Sequence, residues 1–142
     1  MRSSLMLSAL LLAATPVFAT DATTGEEALA RKPLEAYMQA HATGDGDLIR
    51  AAFLPTARID GVRDGKPVSR TAEEFASGFS GKPAEDEAQR RRRIDAVELH
   101  GNAGMAQVTL DYPNVTFTDY FVLLKVGGEW KIASKVYNAA PK

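Results

Sequence analysis

Apolar and polar positions alternate most regularly over residues 117–137 (FTDYFVLLKVGGEWKIASKVY), where two β-branched and aromatic runs flank Gly127-Gly128. Period-two alternation on both sides of a Gly-Gly pair predicts a hairpin of two long strands joined by a two-residue turn. That turn decides which side chains share a face. Asp119, Phe121 and Leu123 fall with Trp130, Ile132 and Val136 on the buried side, and Lys131 and Lys135 fall on the solvated side. A three-residue loop would shift this pairing. The outer face carries Tyr120, Val122 and Leu124, exposed apolar residues that would suit a homodimer contact.

Upstream the period changes. Thr24-Gly-Glu-Glu has the form of a capping box, with Glu27 reaching back to the cap. Leu34, Tyr37, Met38 and His41 follow at helical spacing. Pro33 either kinks this helix or separates a preliminary turn from a helix beginning near Lys32. Gly44 ends it, and Asp45 or Asp47 caps a second short helix carrying Leu48, Ile49, Ala52 and Phe53, with Pro55 at its end. Residues 57–62 and 67–70 read as short strands around Asp64-Gly65, a pair that favours a primed turn. Thr71-Ala-Glu-Glu is a second capping box, opening a helix with Phe75 and Phe79 on one face and Gly81 at its end. A polar loop over 82–88 leads to a strand over 89–99, a turn at 101–104 and a partner strand over 105–112. Ala106, Val108, Leu110 and Tyr112 alternate inward on that partner. The order α-α-β-β-α-β-β-β-β predicts an α+β domain, a curved antiparallel sheet wrapped over three helices of the N-terminal half.

Composition narrows the setting. Residues 1–19 combine Arg2, an apolar run over 5–14 and Val17-Phe18-Ala19 as a small-x-small-like cleavage site, the pattern of a secretory signal peptide. The run is too short to anchor in a bilayer. The expectation is one periplasmic or secreted domain over 20–142, beginning with a short polar leader over 20–25. Without Arg2 the 142-residue chain has 16 Lys+Arg against 18 Asp+Glu, a net charge near −2. Such a balance does not suit nucleic acid or anionic membrane surfaces as partners. There is no cysteine, which excludes disulfides, thiolate metal sites and cysteine nucleophiles. His41 and His100 form no metal constellation, and no acidic cluster has calcium-loop spacing, so neither metal nor cofactor is expected.

Three stretches carry a family resemblance: YMQAHATGD at 37–45, AAFLPTARI at 51–59 and GEWKI at 128–132. With the element order, they resemble the nuclear transport factor 2-like (SnoaL-like) superfamily, in which a bent sheet closes as a cone around helices and leaves an interior pocket. FTDYFVLLK followed by GEWKIASKVY is most similar to its lumazine-binding group, over roughly residues 26–138. The resemblance implies the cone fold and a small-molecule ligand, a flat heterocycle for the lumazine-binding group. The superfamily also hosts isomerases, dehydratases and cyclases, so the fold alone does not decide between binding and catalysis.

Candidate chemistry rests on three residues. Tyr37 precedes the Gly-Asp at the helix end by seven residues, the spacing of the oxyanion-stabilising phenol in the related ketosteroid isomerases. It is either that kind of donor or a core aromatic with its hydroxyl satisfied locally. By the same resemblance the general base falls at Gly61, with Asp60 one residue away and therefore on the other face. His41, one turn after Tyr37, could converge with it on one ligand, or be stabilised by the helix C-terminus. Asp119 sits inside an apolar strand, where a carboxylate needs a partner or a raised pKa. Phe53, Phe75, Phe79 and Trp130 supply either plain core or the apolar walls of a pocket. Arg90–Arg93 alternates on a strand with acids just upstream, a solvated or dimer-facing run. Two functions follow: an exported small-molecule binder, or a cyclase-, dehydratase- or isomerase-like enzyme using Tyr37, His41 and Asp119.

Overall fold

A computed structural model describes residues 20–142, with side chains from Gly25 onward. The expected signal peptide, residues 1–19, lies outside the described residues. The expected leader over 20–25 does not stand apart, because the first helix, α1, runs from Thr20 to Thr43. Pro33 lies inside it without dividing it, and is itself buried. The predicted cap at Thr24 is not a helix start, because α1 already runs through it; the Glu27 carboxylate takes Arg31 one turn ahead at 2.7 Å. Ala30, Leu34, Tyr37 and Ala40 form the fully buried stripe of α1, a helical spacing that faces one side only.

Gly44 turns the chain with φ of 75°, and Asp45 caps α2 (Gly46–Ala52) by accepting from the Asp47 amide at 2.9 Å. Then come β1 (Phe53–Arg63) and β2 (Lys66–Thr71), joined through Asp64 and Gly65, both at positive φ as a primed turn requires. The capping box at Thr71 forms in full, with Glu74 returning its side chain to the Thr71 amide, and opens α3 (Ala72–Ala76). That helix stops well short of Gly81. A short 3-10 turn, Glu87–Gln89, leads into β3 (Arg91–His100), β4 (Ala103–Tyr112), β5 (Val115–Val126) and β6 (Glu129–Pro141).

The six strands form one open sheet in the order β2-β1-β6-β5-β4-β3, so the cone implied by the family resemblance is not closed by hydrogen bonds. The β1–β2, β3–β4, β4–β5 and β5–β6 pairings are antiparallel. The β1–β6 pairing is parallel, which makes the sheet mixed where a purely antiparallel one was expected. These two strands are not joined by a turn; β2, α3 and β3–β5 lie between them in the chain, and parallel neighbours need such a long connection. Ala106, Val108, Leu110 and Tyr112 are buried on the helix-facing side, as their alternation predicted.

Candidate functional site

The expected two-residue turn forms, with Val126 opposite Glu129 and Lys125 opposite Trp130. Leu123 faces Ile132, but the next pair is Val122 with Ser134. Ala133 is therefore an extra residue, a β-bulge, and every side chain beyond it changes face relative to simple alternation. This overturns two expectations. Val136 is not buried but 48% exposed, and Lys135 is not solvated but 5% exposed. Lys131, before the bulge, keeps its predicted outward direction and donates to the Ala51 carbonyl at 2.9 Å.

The bulge aims Lys135 at the two acid/base candidates. Tyr37 Oη donates to Asp119 Oδ2 at 2.6 Å, Lys135 Nζ donates to Tyr37 Oη at 2.5 Å, and Nζ lies 3.2 Å from the same carboxylate oxygen. Tyr37 and Asp119 are fully buried. Around the ammonium stand the rings of Tyr37 at 4.7 Å, Phe75 at 5.2 Å, Tyr137 at 5.3 Å and Phe121 at 6.0 Å. Their faces attract a cation that has lost most of its water. Burial lowers the Lys135 pKa, and the Asp119 carboxylate opposes that effect. Burial, with Asp119 adding to it, pushes the Tyr37 phenol well above its ordinary range, so it remains a proton donor.

His41 packs edge-on to Tyr37 at 4.7 Å and to Phe79 at 5.1 Å. Burial first, then the positive charges of Lys135, Arg92 and Arg90, bring its pKa down to about 3. It is a neutral imidazole. Two buried polar atoms in this region have no hydrogen-bond partner, His41 Nε2 and Asp119 Oδ1. Buried polar atoms are nearly always paired, and unpaired ones mark places where another molecule can supply the bond.

A cavity of about 510 Å³ adjoins the cluster, between α1, α3 and the sheet. Tyr37, His41, Phe75, Lys135 and Tyr137 line it, with the exposed Arg63 and Arg70 on its outer part. Gly61 points the same way: a Cβ there would collide with the Tyr137 ring. The family's base position thus faces inward but holds no acid. Asp60 faces the other side, where it accepts from Ser69, as its place on the strand predicted. A second hollow of about 310 Å³ lies on the outer sheet face and is lined by Met105, Tyr120, Val122 and Val136. It has none of the buried polar groups, and the inner cavity is the better candidate.

Of the four aromatic candidates, Phe53, Phe75 and Phe79 pack together, with Phe75 6.2 Å from Phe53 and 5.4 Å from Phe79, and Trp130 stands apart. Phe75 lines the cavity, and Phe53 is core beside Tyr37 and Phe75, each 6.2 Å away. Phe79 packs behind His41. Trp130 is buried as expected but belongs to the turn end of the hairpin, where Nε1 donates to Glu26 at 3.0 Å. It is absent from the cavity wall. His100 is exposed at its strand end. In the arginine run Arg92 turns inward to Glu87 at 2.5 Å, while Arg91 and Arg93 stay exposed. Sequence reading missed Lys135 and Tyr137, because a bulge at an alanine leaves no mark in the pattern.

Comparison with known proteins places this geometry among relatives. The family model described as "Putative lumazine-binding" matches residues 25–138. A protein named Aldolase FrzH from Cladobotryum sp is 21% identical over 106 residues, covering 75% of this chain and 85% of that one. Similar solved structures include an NTF2-like protein of unknown function from Shewanella baltica OS155, with TM-score 0.76 and 27% identity over 84% of this chain and 97% of that one. Another, from Methylobacillus flagellatus KT, has TM-score 0.71 and 28% identity over 82% and 93% of the two chains.

Proposed function

We propose that this chain, which belongs to the lumazine-binding family of NTF2-like domains, binds a small planar molecule in the cavity between α1 and the sheet. The carrying observation is the buried Tyr37–Asp119–Lys135 cluster beside a cavity of about 510 Å³, with Asp119 Oδ1 and Nε2 of the neighbouring His41 unpaired. A volume of this size holds one or two fused rings. Ring stacking would fall to Phe75 and Tyr137, and a heterocycle edge offering both donors and acceptors would suit His41 and the Tyr37–Lys135 pair. The family description and fold suggest small-molecule binding. Thermal-shift and calorimetric titration with lumazine, flavin fragments and related heterocycles tests the reading. Saturable stabilisation by any of them supports it, and silence across the panel contradicts it.

One observation favours an enzymatic second reading. The three polar candidates converge, with Tyr37 at 2.6 Å from Asp119 and 4.7 Å, ring to ring, from His41. Tyr37 could stabilise a developing oxyanion, as in cyclase-, dehydratase- or isomerase-like chemistry. The aldolase name of the distant relative adds carbonyl chemistry to that range. Export is proposed from the pattern over 1–19 and is checked by N-terminal sequencing of the secreted or periplasmic form. The exposed Met105, Tyr120, Val122 and Val136, neighbours by strand register, support a homodimer through the outer sheet face. Sedimentation showing a monomer at high concentration would contradict it.

A further inference from the structure

We propose that Lys135 is a nucleophile, condensing with the carbonyl group of a small aldehyde or ketone in the inner cavity to form a covalent imine. This rests on the ligand-binding reading above and names the chemical class of the ligand. The first support is position. Lys135 is nearly buried yet lines the cavity, so its amine meets a ligand before it meets bulk water. The second is connectivity. Nζ donates to Tyr37 Oη, which donates to Asp119 Oδ2, a continuous path for taking a proton off the amine. One proton moved along each bond leaves a free amine, a neutral phenol and a protonated carboxyl.

The third support is the fate of the charge. An iminium nitrogen would remain 3.2 Å from the Asp119 oxygen and inside the rings of Tyr37, Phe75 and Tyr137. The site that holds the ammonium therefore also holds the product cation. Burial, the main influence on Lys135, favours its uncharged and nucleophilic form. A ligand with an anionic end is favoured by Arg63 and Arg70, which outnumber Asp64 on the outer cavity wall.

The step balances without a co-reactant. The Nζ lone pair attacks the carbonyl carbon, and the carbonyl π pair moves to oxygen, which takes the proton held on Asp119 through Tyr37. The nitrogen then returns a proton along the same path. The new hydroxyl takes it up and leaves as water. In sum, one ammonium and one carbonyl become one iminium and one water.

The test treats the folded protein with para-carboxybenzaldehyde and sodium cyanoborohydride, then maps reduced adducts by peptide mass spectrometry. Thermal shifts with lumazine and with para-carboxybenzyl alcohol, which has no carbonyl to condense, run in parallel. The expected result is an adduct forming at least about tenfold faster at Lys135, whose burial favours the free amine, than at the exposed Lys66 and Lys82. The preference should vanish in urea. No preference at Lys135, together with stabilisation by lumazine or the alcohol, overturns the imine and leaves the binding reading standing. No adduct and no stabilisation overturns both.

Discussion

Two clusters in this molecule use the same three kinds of group, a carboxylate, a lysine and an aromatic donor, at opposite ends of one hairpin. At the turn end, both oxygens of Glu26 take Lys125 Nζ, at 2.8 and 3.0 Å, and one also takes Trp130 Nε1 at 3.0 Å. Past the bulge, Asp119 takes Tyr37 and Lys135 through a single oxygen and leaves the other unpaired. The first cluster is open to water, with the Lys125 and Glu26 side chains 28% and 42% exposed. The second has lost it. Water and full pairing make the first a clamp of α1 onto the hairpin. Burial and incomplete pairing make the second expensive to hold, which is the condition under which a bound molecule changes the energetics most.

The largest expected effect comes from breaking the buried cluster on one side. Asp119→Ala should destabilise the fold by about 3–5 kcal/mol, because it strands a buried ammonium. Urea denaturation reads it. Pairing Asp119→Leu with Lys135→Met should recover part of that loss, since a buried ion pair replaced by apolar groups of similar size is often neutral, while the buried Tyr37 hydroxyl, deprived of both partners, keeps the remainder. The same double variant should lose the thermal shift with any cavity ligand. Recovery of stability with binding intact would make the cluster structural.

Trp130→Ala should cost a similar 3–5 kcal/mol through lost core packing, yet leave ligand binding unchanged, because Trp130 lies outside the cavity wall. A tryptophan emission that shifts on ligand addition would contradict this separation of the two ends.

His41 gives a smaller, pH-dependent effect. Its folded pKa is depressed from 6.5 to about 3, so the unfolded chain binds the extra proton between those values. Its stabilising contribution is whole above 6.5 and falls as pH drops toward 3, by at most about 1.4 kcal/mol per pH unit. His41→Phe should flatten that acid limb above the range where the carboxylates titrate. An unchanged slope would mean His41 is not held neutral. The smallest effect is expected for Glu26→Gln, a fraction of the Trp130→Ala loss and diminished by salt, as a partly exposed ion pair should be.

Most of the fold was legible because turns announce themselves. Asp64-Gly65 and Gly127-Gly128 take positive φ, and the Thr71 box forms. Tyr37 and Asp119 were legible as polar residues at positions whose spacing points inward. What failed to show did so for particular reasons. A bulge needs no special residue, so Ala133 silently moved Lys135 from the solvated face to the core and Val136 out of it. Pro33 looked like a break, but a buried proline can be carried within a helix when tertiary packing holds it. Trp130 was read correctly as buried, and of the two roles offered for it, core or cavity wall, it takes the core at the turn end, because alternation reports a face and not a position along the sheet.

The most direct test follows the lysines by NMR in protein with 13C-labelled side chains, during titration with lumazine and para-carboxybenzaldehyde. The account predicts that the Lys135 resonance moves and saturates with at least one of the two, while that of Lys125 stays in place. Movement of Lys125 with Lys135 unaffected, or no movement of either, would contradict the assignment of the buried cluster as the ligand site.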